Sequence, residues 1–180
     1  MAIDREKLQE IFGKLGQALK QPATLCLSGS APGILLGQLD RNTSYVDVWR
    51  PNSDFEDTDF AAACTHAGLL FDPKGEVGDD DIYIQVVDPG IVALPSKFET
   101  QAIGRFGNLS VIIPAPSAIA ASKLLRAAPQ DIEDIAWWMR SRALTIQEIE
   151  SAIIALPRAV DRETASENLV FVQLLERRHQ

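Results

Sequence analysis

Residues 41–50 read Arg-Asn-Thr-Ser-Tyr-Val-Asp-Val-Trp-Arg. The alternation over Tyr45–Trp49 predicts a strand. Val46 and Val48 share one face; Tyr45, Asp47 and Trp49 share the other. Two acids at i and i+2 of such a strand fall on one face and can jointly hold a divalent cation through oxygen ligands. This strand has only the second of the two, Asp47, with Tyr45 at the place of the first. Half a metal site, the remains of one and an ordinary strand are the readings it leaves open.

The residues before it narrow the choice. Thr24-Leu-Cys-Leu27 is a short apolar run that predicts a buried strand. Ser28-Gly-Ser30 follows, then Ala31–Leu39, where Pro32 suits the first turn of a helix because its missing N–H leaves nothing unsatisfied there. Gly29 lets the backbone approach a ligand closely. The start of the next helix offers unpaired N–H groups and the positive end of a dipole, a natural place for a phosphate. A plain tight turn accounts for the same three residues.

Working outward, residues 4–19 predict an amphipathic helix capped by Asp4, with Leu8, Ile11, Phe12, Leu15 and Leu19 at helical spacing. Ser53-Asp-Phe-Glu56 has the form of a capping box, opening a helix that runs to Gly68. Ile82–Val87 and Leu109–Ile113 read as strands, with shorter signals near Ile91–Leu94 and Lys97–Gln101. After Pro116 the pattern turns helical: Ser117–Arg126, Asp131–Ser141, Thr145–Leu156 and Arg162–Arg178. Thr145-Ile-Gln-Glu148 is a second capping box. The expected class is α/β (α+β): a small mixed sheet flanked by helices over 1–114, and a helical portion over 115–180 packed on it, since Pro114-Ala-Pro116 is too short for a free linker.

Composition bounds the function. The 180 residues carry a net charge of −8, with 46% hydrophobic and 23% charged residues, as in an ordinary globular chain. Acidic balance argues against general binding of nucleic-acid backbones, which needs clustered Lys and Arg. Neither a secretory leader pattern nor an apolar run of membrane-spanning length is present, so the expected setting is cytoplasmic. Cys26 and Cys64 stand alone and read as small buried hydrophobes. His66 reads as structural, and Ser110 and Ser117 lack the context of a nucleophile elbow. Asp131, Glu133 and Asp134 open a helix, where acids suit the positive dipole end. In the last helix, Leu169, Phe171, Val172, Leu174 and Leu175 spread around the girth. That predicts burial, within the chain or in a homodimer.

Leu25-Cys-Leu-Ser-Gly-Ser-Ala31 followed by Arg41-Asn-Thr-Ser-Tyr-Val-Asp47 resembles the core of the nucleotidyltransferase superfamily. More narrowly it is similar to bacterial nucleotidyltransferase-like proteins related to the toxin of abortive-infection systems. Their pattern is strand, Gly-Gly or Gly-Ser turn, helix, then Arg-x-Thr-x-Asp-hydrophobic-Asp. Arg41, Thr43 and Asp47 match it. Tyr83–Gly90 resembles a later strand of that family, and Ser117–Arg126 with Asp131–Ile135 resembles its helix pair. The resemblance implies that Asp47 holds Mg²⁺, that Ser28, Gly29, Ser30 and Thr43 contact the nucleotide, and that Arg41 or Lys123 neutralises its charge. An active member would pass a nucleotide monophosphate to a protein or RNA hydroxyl by in-line attack.

The departures from the pattern fall at the metal. Ser28 replaces the first Gly of the turn, and Tyr45 replaces the first acid. A phenol with a pKa near 10 is a poor Mg²⁺ ligand at neutral pH. The neighbouring strand Ile82–Val87 carries no third acid. The expectation is a nucleotidyltransferase-like protein, impaired in catalysis, that still binds a nucleotide in its cleft. The alternative is a non-catalytic regulatory or interaction protein of a toxin–antitoxin or defence-type system.

Overall fold

The computed structural model describes residues 3–39 and 41–178, with backbone alone for 176–178. The class is mixed α/β, with two small sheets of three strands each. The chain divides into two compact units, one of residues 1–88 with 100–113, the other of residues 89–99 with 114–180.

The first unit opens with helix α1 (Arg5–Ala18), whose Asp4 cap accepts a 2.9 Å hydrogen bond from the Lys7 N–H. Its apolar stripe Leu8, Ile11, Phe12 and Leu15 is fully buried, as the spacing predicts. Strand β1 (Ala23–Cys26) leads through Ser28–Ser30 into α2 (Ala31–Leu35), which has only five residues. Pro32 and Gly33 are poor helix formers, and Leu36–Leu39 do not continue it. Strand β2 (Tyr45–Trp49), a 3-10 turn over Arg50–Asn52 and helix α3 (Asp57–Ala67) follow. Gly68, in the left-handed region at φ 75°, ends α3. The strands β3 (Leu70–Phe71), β4 (Tyr83–Val87), β5 (Thr100–Phe106) and β6 (Leu109–Pro114) complete the sheets.

The capping box expected at Ser53 is arranged differently. Glu56 itself caps α3, its carboxylate accepting from the N–H groups of Thr58 and Asp59. Ser53 instead accepts a 2.9 Å bond from the Cys26 N–H and donates one of 2.8 Å to the Trp49 carbonyl. The strand expected near Lys97–Gln101 begins only at Thr100 and runs to Phe106, and the expected Ile91–Leu94 signal forms no strand beyond a single bridge between Pro89 and Val92.

One sheet has the order β1-β6-β5, with β1 and β6 parallel and Leu25 beside Val111. The other has the order β2-β4-β3, all parallel, with Tyr45 beside Tyr83 and Asp47 beside Gln85. An antiparallel bridge between Leu27 and Val48 joins β1 to β2. Val46 and Val48 are buried while Tyr45 and Asp47 are only half-buried, as the alternation predicts; Trp49, on the second face, departs from it and is buried.

The second unit is helical: α4 (Pro116–Lys123), α5 (Pro129–Arg142), α6 (Ile146–Ile154) and α7 (Ala159–Arg178). The capping box of α6 forms as read, Thr145 and Glu148 bonding each other's backbone N–H. Trp138 is buried and Trp137 half-buried, their rings edge to face at 5.1 Å. On α7, Leu169 and Val172 are buried, but Phe171 and Leu174 are about half exposed, at 49% and 48%. Within the chain, the burial of this helix is therefore partial.

Candidate functional site

The site lies in the first unit, where β1 and β2 meet. The Ser28 N–H donates to the Asp47 carbonyl at 2.9 Å, extending the Leu27–Val48 bridge by one residue. The chain then turns at Gly29, at φ 66°, a left-handed backbone that side chains disfavour. The Asp47 carboxylate sits so close to the Gly29 α-carbon that a Cβ there would overlap Oδ2. Glycine is required at this turn twice over, by its dihedral and by the acid packed on it.

Ser28 is 4% exposed, and its hydroxyl has no hydrogen-bond partner among the described residues. A buried hydroxyl left unpaired costs about 1–3 kcal/mol, so native folds nearly always satisfy it with protein, water or ligand. Ser30 caps α2 with its backbone only; its side chain bonds no helix N–H. A helix of five residues adds little dipole, so any anion here would depend on the turn itself rather than on the helix behind it.

On the neighbouring strand Tyr83 stands beside Tyr45, and their rings stack at 5.2 Å with an 18° tilt. Such offset pairs contribute about 0.5–1.5 kcal/mol beyond their burial. Gln85 stands beside Asp47. Thr43 holds the start of β2: its hydroxyl donates to the Tyr45 carbonyl at 2.9 Å, and its backbone pairs with Ile3. The hydroxyl proton of Thr43 is thus engaged on the backbone. Arg41, half-buried, stands two residues before it.

The strands β2, β3 and β4 contain one carboxylate, Asp47. Among the described residues no three His, Cys, Asp or Glu side chains gather where they can hold a metal ion. One carboxylate, two phenols and an amide do not make a Mg²⁺ site, which takes hard oxygen ligands with carboxylate charge among them. The donor set does not fit the metal that the resemblance implies.

Lys123 belongs to the second unit, where it is buried and committed. Its ammonium lies 2.7 Å from Asp134 and 3.4 Å from Asp131. Arg126 completes the cluster with two bonds to Asp131, at 2.7 and 2.8 Å. Asp131 and Asp134 thus serve a buried ion cluster, and Asp131 also opens α5 as read, its carboxylate accepting from the Ala128 N–H at 3.2 Å; Glu133 is exposed. Burial works against the charge of Asp131, but the Arg126 hydrogen bonds and the charges of Lys123 and Arg126 outweigh it and hold the carboxyl below its ordinary value.

Burial pushes the thiols of Cys26 and Cys64 up to about 12, so neither is a nucleophile at neutral pH. His66 is exposed on the last turn of α3. None of the described helices is long and apolar enough to cross a membrane. No family model matches the chain, and no curated protein and no solved structure matches it.

Proposed function

We infer that the first unit is a nucleotidyltransferase-like domain that binds a nucleotide at the Ser28–Ser30 turn without performing the transfer. The observation that carries this reading is the packing of the Asp47 carboxylate on Gly29. In the resembling proteins the turn and the acidic strand work as one site, and here the same two segments touch. The orphaned Ser28 hydroxyl supports it from the side of the turn, as a buried group that a ligand would satisfy. Impaired transfer rests on the donor set: one carboxylate is too little to hold the paired ions of in-line nucleotidyl transfer.

Thermal melting with each nucleoside triphosphate tests the reading. A ligand bound only by the folded state raises Tm with its concentration. The expected result is a rise with at least one nucleotide that disappears in Gly29→Ala. An unchanged Tm with all four, together with no heat of binding, removes the nucleotide from the reading and leaves the regulatory or interaction role.

A further inference from the structure

We propose that this site binds its nucleotide without a divalent metal, the stacked Tyr45–Tyr83 pair occupying the flank where a metal site would carry its other acids. The proposal rests on the nucleotide-binding reading above and adds how the ligand is held.

Three observations carry it. First, β2 and β4 pair in register, so Asp47 has Tyr45 and Trp49 beside it on its own strand and Tyr83 and Gln85 on the next, none of them a carboxylate. Second, the two rings stack on each other at 5.2 Å, so the strand positions two residues before Asp47 and Gln85 carry paired aromatic rings where acids would stand. A hydrated hard cation gains nothing from a ring face that can offer it no charged oxygen. Third, the turn opposite contributes groups suited to direct hydrogen bonding. Chief among them is the hydroxyl of Ser28, orphaned among the described residues; the Cβ-free side of Gly29 is taken up by the Asp47 carboxylate.

Charge makes the same point. A cleft with three carboxylates repels a polyphosphate until cations bridge the two. A site with one carboxylate has lost most of that repulsion and the means of bridging together. Asp47 then acts as an acceptor for a ligand hydroxyl or N–H, and the phosphates are held by the turn. Chelating the metal should leave such a complex intact, and adding metal should not strengthen it.

Calorimetric binding of each of the four nucleoside triphosphates, in EDTA and in Mg²⁺, is the test. For the wild-type chain the dissociation constants in the two buffers should agree within about twofold. Tyr45→Phe keeps the stack and should behave the same way. Tyr45→Asp restores an acid two residues before Asp47. Its affinity should fall in EDTA and recover in Mg²⁺, by about tenfold. Tyr45→Asn removes the ring without adding charge and should acquire no metal dependence. Binding by wild type that weakens about tenfold or more in EDTA overturns the proposal while sparing the nucleotide-binding reading. Failure of every nucleotide to bind in both buffers overturns the two together.

Discussion

The carboxylate of Asp47 rests on the α-carbon of Gly29, and the Ser28 N–H bonds the Asp47 carbonyl at 2.9 Å. The acid and the turn are therefore one mechanical piece. A change in either moves the other.

Gly29→Ala should demonstrate this. The substitution introduces a Cβ at φ 66° and drives it against Oδ2 of Asp47. The backbone penalty alone is about 1 kcal/mol, and displacement of the carboxylate adds to it. Expected are a loss of stability of about 2 kcal/mol and the loss of nucleotide binding. Combining it with Asp47→Ala removes the collision but not the dihedral penalty. The double variant should thus be less destabilised than the sum of the singles, as urea denaturation would measure. Strict additivity would show that the two residues are not in contact.

Ser53→Ala probes the other side of β1. The hydroxyl accepts from the Cys26 N–H inside the protein, and Cys26 is fully buried. Removing the acceptor strands that donor, at a cost of about 1–3 kcal/mol. The neighbouring cap is a contrast: Glu56→Ala removes an exposed cap of α3 and should cost less. Equal effects at the two positions would argue that the Ser53 bond carries no burial penalty.

What was legible in the sequence follows from range. The alternation of β2 and the Ser28–Ser30 turn are local signals, and both stand where the sequence puts them. The two residues of β3 are too few for any periodicity, and in β5 the exposed run Thr100–Ala102 and then Gly104 blur the alternation. Ser53 matches a capping pattern but was claimed by Cys26, a residue 27 positions away that no local rule sees. The Tyr45–Tyr83 stack depends on the register of strands far apart in the chain. Asp131 and Asp134 read as helix-opening acids because nothing local reveals that Lys123 reaches them.

That cluster makes a third prediction. Lys123→Met leaves Asp131 and Asp134 buried without their shared ammonium and should cost about 3–5 kcal/mol. Adding Asp134→Leu removes one stranded charge and should recover part of the loss. The acid limb of stability follows from Asp131, whose folded pKa is depressed. Its contribution is full above the unfolded value of about 3.9 and disappears as pH falls through the lower folded value. Urea midpoints taken from neutral pH down through the region below 4 should therefore fall less steeply in Asp131→Asn than in wild type.

The last prediction uses two glycines of α1. Gly16 and Gly107 approach each other so closely that a Cβ at 16 would overlap the Phe106 carbonyl, and one at 107 would press on the Gly16 carbonyl at 2.6 Å. The Asn108 N–H bonds that same Gly16 carbonyl at 3.0 Å, tying the β5–β6 turn to the helix. Gly13, one turn earlier, has nothing within 4 Å of its virtual Cβ. In a free helix both changes to Ala would gain about 0.8–1 kcal/mol from propensity. Gly13→Ala should keep that gain. Gly16→Ala should instead lose about 2 kcal/mol or more, because the clash is with backbone, which cannot rotate away. Opposite signs from one substitution, three residues apart on one helix, isolate tertiary contact from propensity; a shared sign would mean that α1 does not lie against the β5–β6 turn as described.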